Sequence, residues 1–507
     1  MDVESPARSD VELHSLLERL RTLIAPGRAT YHAFEWRGRR LLYDLLSGSV
    51  VSLDAASLSL LRGIEDGLSA DAILERMRAD DPGVDADAVV REALKLQELG
   101  FFRLEPLETK EQRDQTVAGH TNHHPNKAMV MIQTSCNLKC TYCYEVQSGF
   151  HSTGKSMGLD TGILSIENVI ERSGRRRDLE ITFFGGEPLM NFKLMKELVA
   201  YCERRGEETG KRFFFQITTN AVLMTDEVID FLIEKKFTVM VSLDGKPEKA
   251  DVNRKDLGGH GVARKAIANA QRLVARQRDA GLREALIRST MTVENHDSVE
   301  IRDFFGEQGF RRVMVGASMG RADSKGPVDL TKEHYPEMER SLEFEIDRYL
   351  AWLDGKGSRP VGDPIPRSLE RLDKALQSPQ PRPSIGCGVG RNMRALTEDG
   401  TIYPCHRYAG EKAWSLGNLR DGQDPAKTEE FYRELLGNYD ETCSGCYARF
   451  VCGGQCPWYL SKADGHVGHP DSPSCDGIRK TLEKHLWTWI ELEERRTRRT
   501  SAEGARA

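Results

Sequence analysis

The sequence predicts an α/β protein built around a partial (β/α)6 barrel, with a small α+β domain before it and a cysteine-rich domain after it. Three observations lead there. From residue 128, six strand-like runs (MVMIQTS, LEITFFGG, FFFQITTN, TVMVSLDG, ALIRSTMTV and RRVMVGAS) alternate with amphipathic helical stretches, the pattern of a parallel sheet closed or partly closed on itself. Upstream, TYHAFEWRGRRLLYDLLSGSVVSL reads as a β-meander with turns at Arg-Gly and Ser-Gly-Ser, and three helices with Ser or Asp caps follow it. Ten of the eleven cysteines fall in two dense groups, one just after the first barrel strand and one at 387–475.

Each element can be placed in order. Residues 1–27 hold a short amphipathic helix and 28–105 the meander with its helices. Residues 106–127 (PLETKEQRDQTVAGHTNHHPNK) are polar and aperiodic and read as a linker, in which His120, His123 and His124 have nothing nearby to complete a metal site. The barrel spans 128–321, a proline-rich helical bridge 322–384, and the cysteine-rich domain 385–478. Residues 479–507 form a last helix with a basic tail expected to fray.

At 507 residues the chain exceeds what one core holds, so several domains are expected. Charged residues make up 30% and the net charge is −6, which gives no global attraction to nucleic acid or to an acidic membrane. The first twenty residues lack the apolar core of a signal peptide, and no apolar run is long enough to span a bilayer. Cytoplasmic residence is the expectation, with neither nucleic acid nor membrane as partner. In a reducing compartment clustered cysteines are ligands or catalysts before they are disulfides. Cys202 stands alone in the helical segment MKELVAYCERRGEE and reads as a packed thiol.

Cys136, Cys140 and Cys143 sit in one short loop after the first barrel strand. A cubic iron–sulfur cluster takes four thiolates. Three close together leave one iron open to another ligand. Zinc with a remote fourth ligand is the competing reading. The second strand ends in Gly185-Gly186-Glu187-Pro188. The pair of motifs, CxxxCxxC and then GGEP, resembles the radical S-adenosylmethionine enzymes. The resemblance implies a [4Fe-4S] cluster on the three cysteines. Its open iron chelates S-adenosylmethionine, whose reductive cleavage yields a 5′-deoxyadenosyl radical. It also implies cofactor contacts at Tyr142, Gly185, Gly186, Glu187, Ser242 and Arg254, with Asn220 a further candidate. Arg254 suits a carboxylate, which a guanidinium grips with two hydrogen bonds.

In the second group Cys387 is followed by Gly400, Cys405, Cys443, Cys446, Cys452, Cys456 and Cys475. This spacing resembles the SPASM domain, which holds one or two auxiliary iron–sulfur clusters. The resemblance implies an outer cluster on Cys443, Cys446, Cys452 and Cys475, and an inner one on Cys387, Cys405 and Cys456. Sulfatase-maturating members have an eighth cysteine where this chain has Met393, and a catalytic aspartate where it has His406. The inner cluster is then one thiolate short, with either a non-cysteine ligand or an iron open to a substrate thiolate. His406 is the candidate base, given a pKa near neutrality.

Three strands followed by three helices resembles the PqqD-like elements that bind leader peptides by adding a strand to a sheet edge. A plain winged-helix interaction module is the alternative. The combination is similar to maturases that form thioethers in ribosomally made peptides or in a small subunit of quinohemoprotein amine dehydrogenase. Such a resemblance implies a precursor peptide or small protein subunit as substrate and flavodoxin or ferredoxin as reductant. The competing outcomes are carbon–carbon or carbon–oxygen crosslinks, epimerisation, sulfatase maturation, and, outside enzymes, a zinc or peptide-binding scaffold.

Overall fold

The computed structural model describes residues 8–24, 30–103, 110–147, 154–318, 328–378, 387–462, 464–470 and 472–504, together with Phe150, Gly320, Arg321 and Gly326. After a helix at Arg8–Leu23 come three antiparallel strands, β1 (Tyr31–Trp36), β2 (Arg39–Asp44) and β3 (Val50–Leu53), paired in that order. Arg37 and Gly38 turn β1 into β2 with φ of 51° and 71°, the two positive angles that a tight hairpin matched to strand twist requires. Helices Ala55–Glu65, Ala70–Asp80 and Ala86–Glu98 each start at a side-chain cap, from Asp54, Ser69 and Asp85.

Alternation along these strands buries both faces of the small sheet. Tyr31, Ala33 and Leu42 pack under the three helices. Phe34, Leu41 and Tyr43 join a second core with Ile346 and Leu350 of helix Tyr335–Leu353, Leu369 and Leu372 of helix Pro364–Gln377, and Leu482 and Leu486 of the C-terminal helix. The N-terminal module is thus held against the bridge and the end of the chain by a shared apolar core.

The segment read as a linker contains a helix, Lys110–Thr121. Its sequence shows little periodicity because the helix buries little beyond Val117. Tertiary partners hold it on helix Pro425–Cys443: Asp114 pairs with Arg433 at 2.6 Å and the His120 ring lies 4.9 Å from that of Tyr432. His123 and His124 are taken up in the same way, by Asn392 at 3.4 Å and the Arg172 carbonyl at 3.1 Å.

The six barrel strands are β4 (Lys127–Gln133), β5 (Asp178–Gly185), β6 (Arg212–Thr219), β7 (Thr238–Ser242), β8 (Leu286–Met291) and β9 (Val313–Ala317), all parallel and adjacent in sequence order. The α/β class and the partial barrel are as expected. Parallel strands are usually buried on both faces. β4 follows that rule with six consecutive buried residues, whereas β5 alternates: Leu179, Ile181 and Phe183 are buried in the core shared with the helices, while Glu180, Thr182 and Phe184 are half-buried. The half-buried face lines the lumen. Beyond β4 the sheet continues with β10 (Ala395–Leu396), parallel to β4, and β11 (Ile402–Tyr403). The cysteine-rich domain thereby extends the barrel sheet, a junction that two-residue strands do not announce in sequence.

The last helix starts at Ser472, so Cys475 lies in its first turn, and it continues to Gly504 where fraying was expected. Among the described residues no helix is long and apolar enough to cross a membrane.

Candidate active site

Every candidate of the first group lies at the carboxyl ends of the barrel strands. A register shift between Met131 and Gln133 ends β4 and brings Gln133 opposite Gly185. There β5 comes so close that a Cβ on Gly185 would lie 2.1 Å from the Gln133 carbonyl oxygen, and one on Gly186 2.2 Å from that of Ser135. Gly185 also has φ of 121°. The glycine pair is therefore demanded by the neighbouring strand before any ligand arrives. The Gly186 and Glu187 amides donate to Gln133 and Ser135 at 2.9 and 3.1 Å, which ties the GGEP turn to the start of the cysteine loop.

Glu187 is 1% exposed, and protein donors already engage both of its carboxylate oxygens. Leu189 N–H and the Thr219 hydroxyl reach Oε1 at 3.0 and 2.8 Å, and Asn220 N–H reaches Oε2 at 2.8 Å. Burial raises its pKa to about 7 against those donors. In this geometry Glu187 binds the ends of β5 and β6 together. Its partner Asn220 turns its amide to Asn137 Oδ1 at 2.8 Å and to Cys136 Sγ at 3.7 Å.

The cysteine loop is pinned on its other side by residues 253–256. Lys139 N–H donates to the Lys255 carbonyl at 2.8 Å, Thr141 N–H to that of Asn253 at 3.1 Å, and Leu138 bridges Asp256. The three thiols are half-buried. Burial, and then the Glu187 carboxylate, push Cys136 up to about 12, and burial also raises Cys140 and Cys143. Such thiols become thiolates only against a cation, the role of a cluster iron. The N–H donors of Leu138 at 3.4 Å and Asn220 on Cys136 Sγ favour that charged form.

Tyr142 and Arg254 meet in the lumen. Arg254 donates to the Tyr142 hydroxyl at 2.8 Å and lies 3.7 Å from Asp244, to which Tyr142 itself donates. Asp244 was legible only as a strand-end residue. Its role as anchor appears in the structure, where Oδ1 also accepts Thr290 N–H at 2.9 Å. Ser242 ends β7 on the half-buried face. Arg288 of β8 is a further lumen residue that sequence reasoning passed over; the signal was a charge inside an apolar strand. Its guanidinium lies over Gly316, where a Cβ would come within 2.7 Å of it.

The second cysteine group divides in two. Cys443, Cys446, Cys452 and Cys475 line one small cavity of about 30 Å³, with Gln455 Nε2 3.5 Å from Cys475 Sγ and Arg479 4.0 Å from Cys446 Sγ. Four thiols with two polar donors beside them fit a cluster site. Cys387, Cys405 and Cys456 form the other set. Burial, and then Cys456, raise both Cys387 and Cys405, the latter to about 12. The turn Gly388–Met393, closed by Met393 N–H on the Gly388 carbonyl at 2.8 Å, carries Met393 back beside Gly388, the residue after Cys387.

His406 departs from the expectation of a base near neutrality. Burial, and then the Arg407 charge, lower its pKa to about 3. Its ring sits 4.8 Å from that of Phe184, with Nδ1 3.2 Å from Met129 Sδ. Half-buried against these neighbours, it is a weaker base than the sequence suggests.

Residues 130–304 match the family model of the Radical SAM superfamily, and this part of the chain is a radical SAM domain. The cysteine-type anaerobic sulfatase-maturating enzyme of Clostridium perfringens (strain 13 / Type A) is 25% identical over 336 residues, 64% of this chain and 86% of its own. The radical SAM cyclopropyl synthase TigE of Paramaledivibacter caminithermalis is 22% identical over 374 residues, 70% of this chain and 73% of its own. A solved structure of native anSMEcpe with bound AdoMet and Cp18Cys peptide is similar in fold, with a TM-score of 0.58 at 22% identity, covering 73% of this chain and 99% of that one.

Proposed function

We propose that this radical SAM enzyme modifies a peptide or small protein by joining a cysteine sulfur to a carbon of the same substrate. The observation that carries the reading is the inner set Cys387, Cys405 and Cys456, three thiols with Met393 at the sequence position where sulfatase-maturating members carry a further cysteine. A thioether sulfur is a weak ligand beside a thiolate, so a cluster held there keeps a place for a substrate thiolate.

Cys136, Cys140 and Cys143 would hold the radical-generating [4Fe-4S] cluster, with S-adenosylmethionine against Gly185, Gly186, Tyr142, Ser242 and Arg254. Bound together, the two supply a 5′-deoxyadenosyl radical. The chain's own residues do the rest. Glu187 and Asn220 fix the loop, and Asp244 with Tyr142 aims Arg254 at a ligand carboxylate. Cys443, Cys446, Cys452 and Cys475 would hold a second auxiliary cluster. Thioether formation removes two hydrogens from the substrate. One leaves as a hydrogen atom on 5′-deoxyadenosine; the other departs as a thiol proton to water and an electron to the auxiliary site.

The N-terminal sheet, resembling a PqqD-like element, supports substrate capture at a strand edge. The sulfatase-maturating names of relatives support peptide or protein substrates in general. Oxidation of a sulfatase cysteine is the second reading, favoured by those relatives; His406 in place of an aspartate weighs against it. The discriminating experiment uses iron-replete enzyme, S-adenosylmethionine, reductant and a short cysteine-bearing peptide encoded beside the enzyme's gene. A thioether removes two hydrogens and one titratable thiol. Unchanged mass with inverted stereochemistry, unchanged thiol count, or replacement of sulfur by a carbonyl oxygen would each overturn the proposal.

A further inference from the structure

The C-terminal helix carries more of the outer cysteine site than Cys475. Cys475, Arg479 and Glu483 follow one another at four-residue spacing, so they share one stripe of the helix Ser472–Gly504. Arg479 reaches Cys446 Sγ at 4.0 Å, and Glu483 Oε1 accepts the hydroxyl of Tyr447, the residue after Cys446, at 2.9 Å. The same oxygen accepts His32 Nε2–H at 2.8 Å. The His32 ring also lies flat on that of Tyr447, with centroids 3.5 Å apart and planes 2° from parallel. His32 belongs to β1 of the N-terminal module, where His32, Phe34 and Trp36 alternate onto one face. Phe34 enters the core that holds Leu482 and Leu486, and Trp36 meets Trp487 edge-on at 4.9 Å. Cys446 and Cys452 pack against that same core.

A stacked ring and a shared carboxylate fix a tyrosine in both position and tilt, and here that tyrosine adjoins a thiol of the outer set. The His32 and Glu483 side chains are only 17% and 27% exposed, so water competes little for their bond. Groups that orient a ligand influence a metal site nearly as much as the ligand itself. We infer that His32 is a positioning residue of the outer site: through Tyr447 it holds Cys446 in place, and the N-terminal module thereby forms one wall of that site. The inference rests on the reading of Cys443, Cys446, Cys452 and Cys475 as cluster ligands. It gives the module a second role beside substrate capture.

The test is anaerobic removal of iron by a chelator from full-length, iron-replete enzyme. Iron missing from Cys452→Ala with Cys475→Ala marks the outer fraction, and iron missing from Cys140→Ala marks the tripod fraction. In His32→Ala the outer fraction should leave roughly tenfold faster or more, the loss that such supporting groups typically carry, while the tripod fraction stays within about twofold of the parent. His32→Phe keeps the stacked ring and should bring the outer rate back to within about twofold. The electron paramagnetic resonance signal of the reduced outer cluster should change in His32→Ala and return in His32→Phe. Trp36→Ala loosens the same interface away from Tyr447 and should leave the outer rate near that of the parent. Equal outer rates in His32→Ala and the parent, or equal acceleration in Trp36→Ala and His32→Ala, would overturn the positioning role. An iron content unchanged by Cys452→Ala with Cys475→Ala would instead overturn the outer-cluster reading beneath it.

Discussion

The two cysteine regions are built on opposite plans. Cys136, Cys140 and Cys143 occupy eight residues, and backbone hydrogen bonds to the end of β5 and to residues 253–256 fix their loop on a large barrel core. The C-terminal cysteines are spread from 387 to 475 over short turns, two-residue strands and the ends of helices. What joins them is tertiary: Gly390 N–H on the Pro404 carbonyl at 2.7 Å, Tyr432 on the Val389 carbonyl at 2.8 Å, and a cavity that four thiols line without touching a regular sheet. The first site is preformed by the fold. The second rests on an aromatic core around Tyr408, Trp414, Tyr432 and Trp458 and carries its cysteines on short turns, so metal binding should be coupled to the ordering of those turns.

The largest effect is expected from breaking the first site. Cys140→Ala should abolish 5′-deoxyadenosine formation and lower iron from roughly twelve to roughly eight atoms per chain while the barrel stays folded; circular dichroism and iron analysis check both halves. Next comes the strand contact. In Gly186→Ala the new methyl carbon meets the Ser135 carbonyl oxygen at 2.2 Å, and backbone must move to admit it. A loss of about 2 kcal/mol or more in denaturant unfolding is expected, together with loss of tripod iron.

The contrast sharpens in the second region. Cys452→Ala with Cys475→Ala should expose the 443–475 segment to proteolysis and lower its melting temperature, leaving barrel protection in hydrogen exchange unchanged. If both regions loosened together, the two-plan description would be wrong.

The smallest effect is a pH dependence. Burial, and then the Arg371 charge, lower the pKa of His485 on the C-terminal helix from 6.5 to about 4. The unfolded chain then binds the extra proton between those values, so the contribution is complete above about pH 6.5 and is lost as pH falls toward 4. Its size is at most about 3 kcal/mol, and His485→Leu should flatten the melting profile in that window.

Much of the barrel was legible in the sequence because its strands alternate and its turns carry Gly-Gly, Asn and Asp at the ends that matter. The tripod and GGEP are local motifs, so short-range spacing sufficed to place them together. The helix Lys110–Thr121 was missed because tertiary partners, not its own periodicity, hold it in place. β10 and β11 escaped notice for a related reason: a strand of two residues has no pattern, and only its pairing with β4 defines it. Gly185 and Gly186 were read as room for a ligand, whereas the neighbouring strand alone already requires them. His406 looked like a base by identity, and its half-buried place beside Met129 and Phe184, invisible in a linear sequence, weakens it as one.

One measurement bears most directly on the central claim: 5′-deoxyadenosine released anaerobically by iron-replete chain with S-adenosylmethionine and dithionite. Release that disappears in Cys140→Ala is the expected result. No release from a chain carrying its full complement of iron and sulfide would contradict the claim.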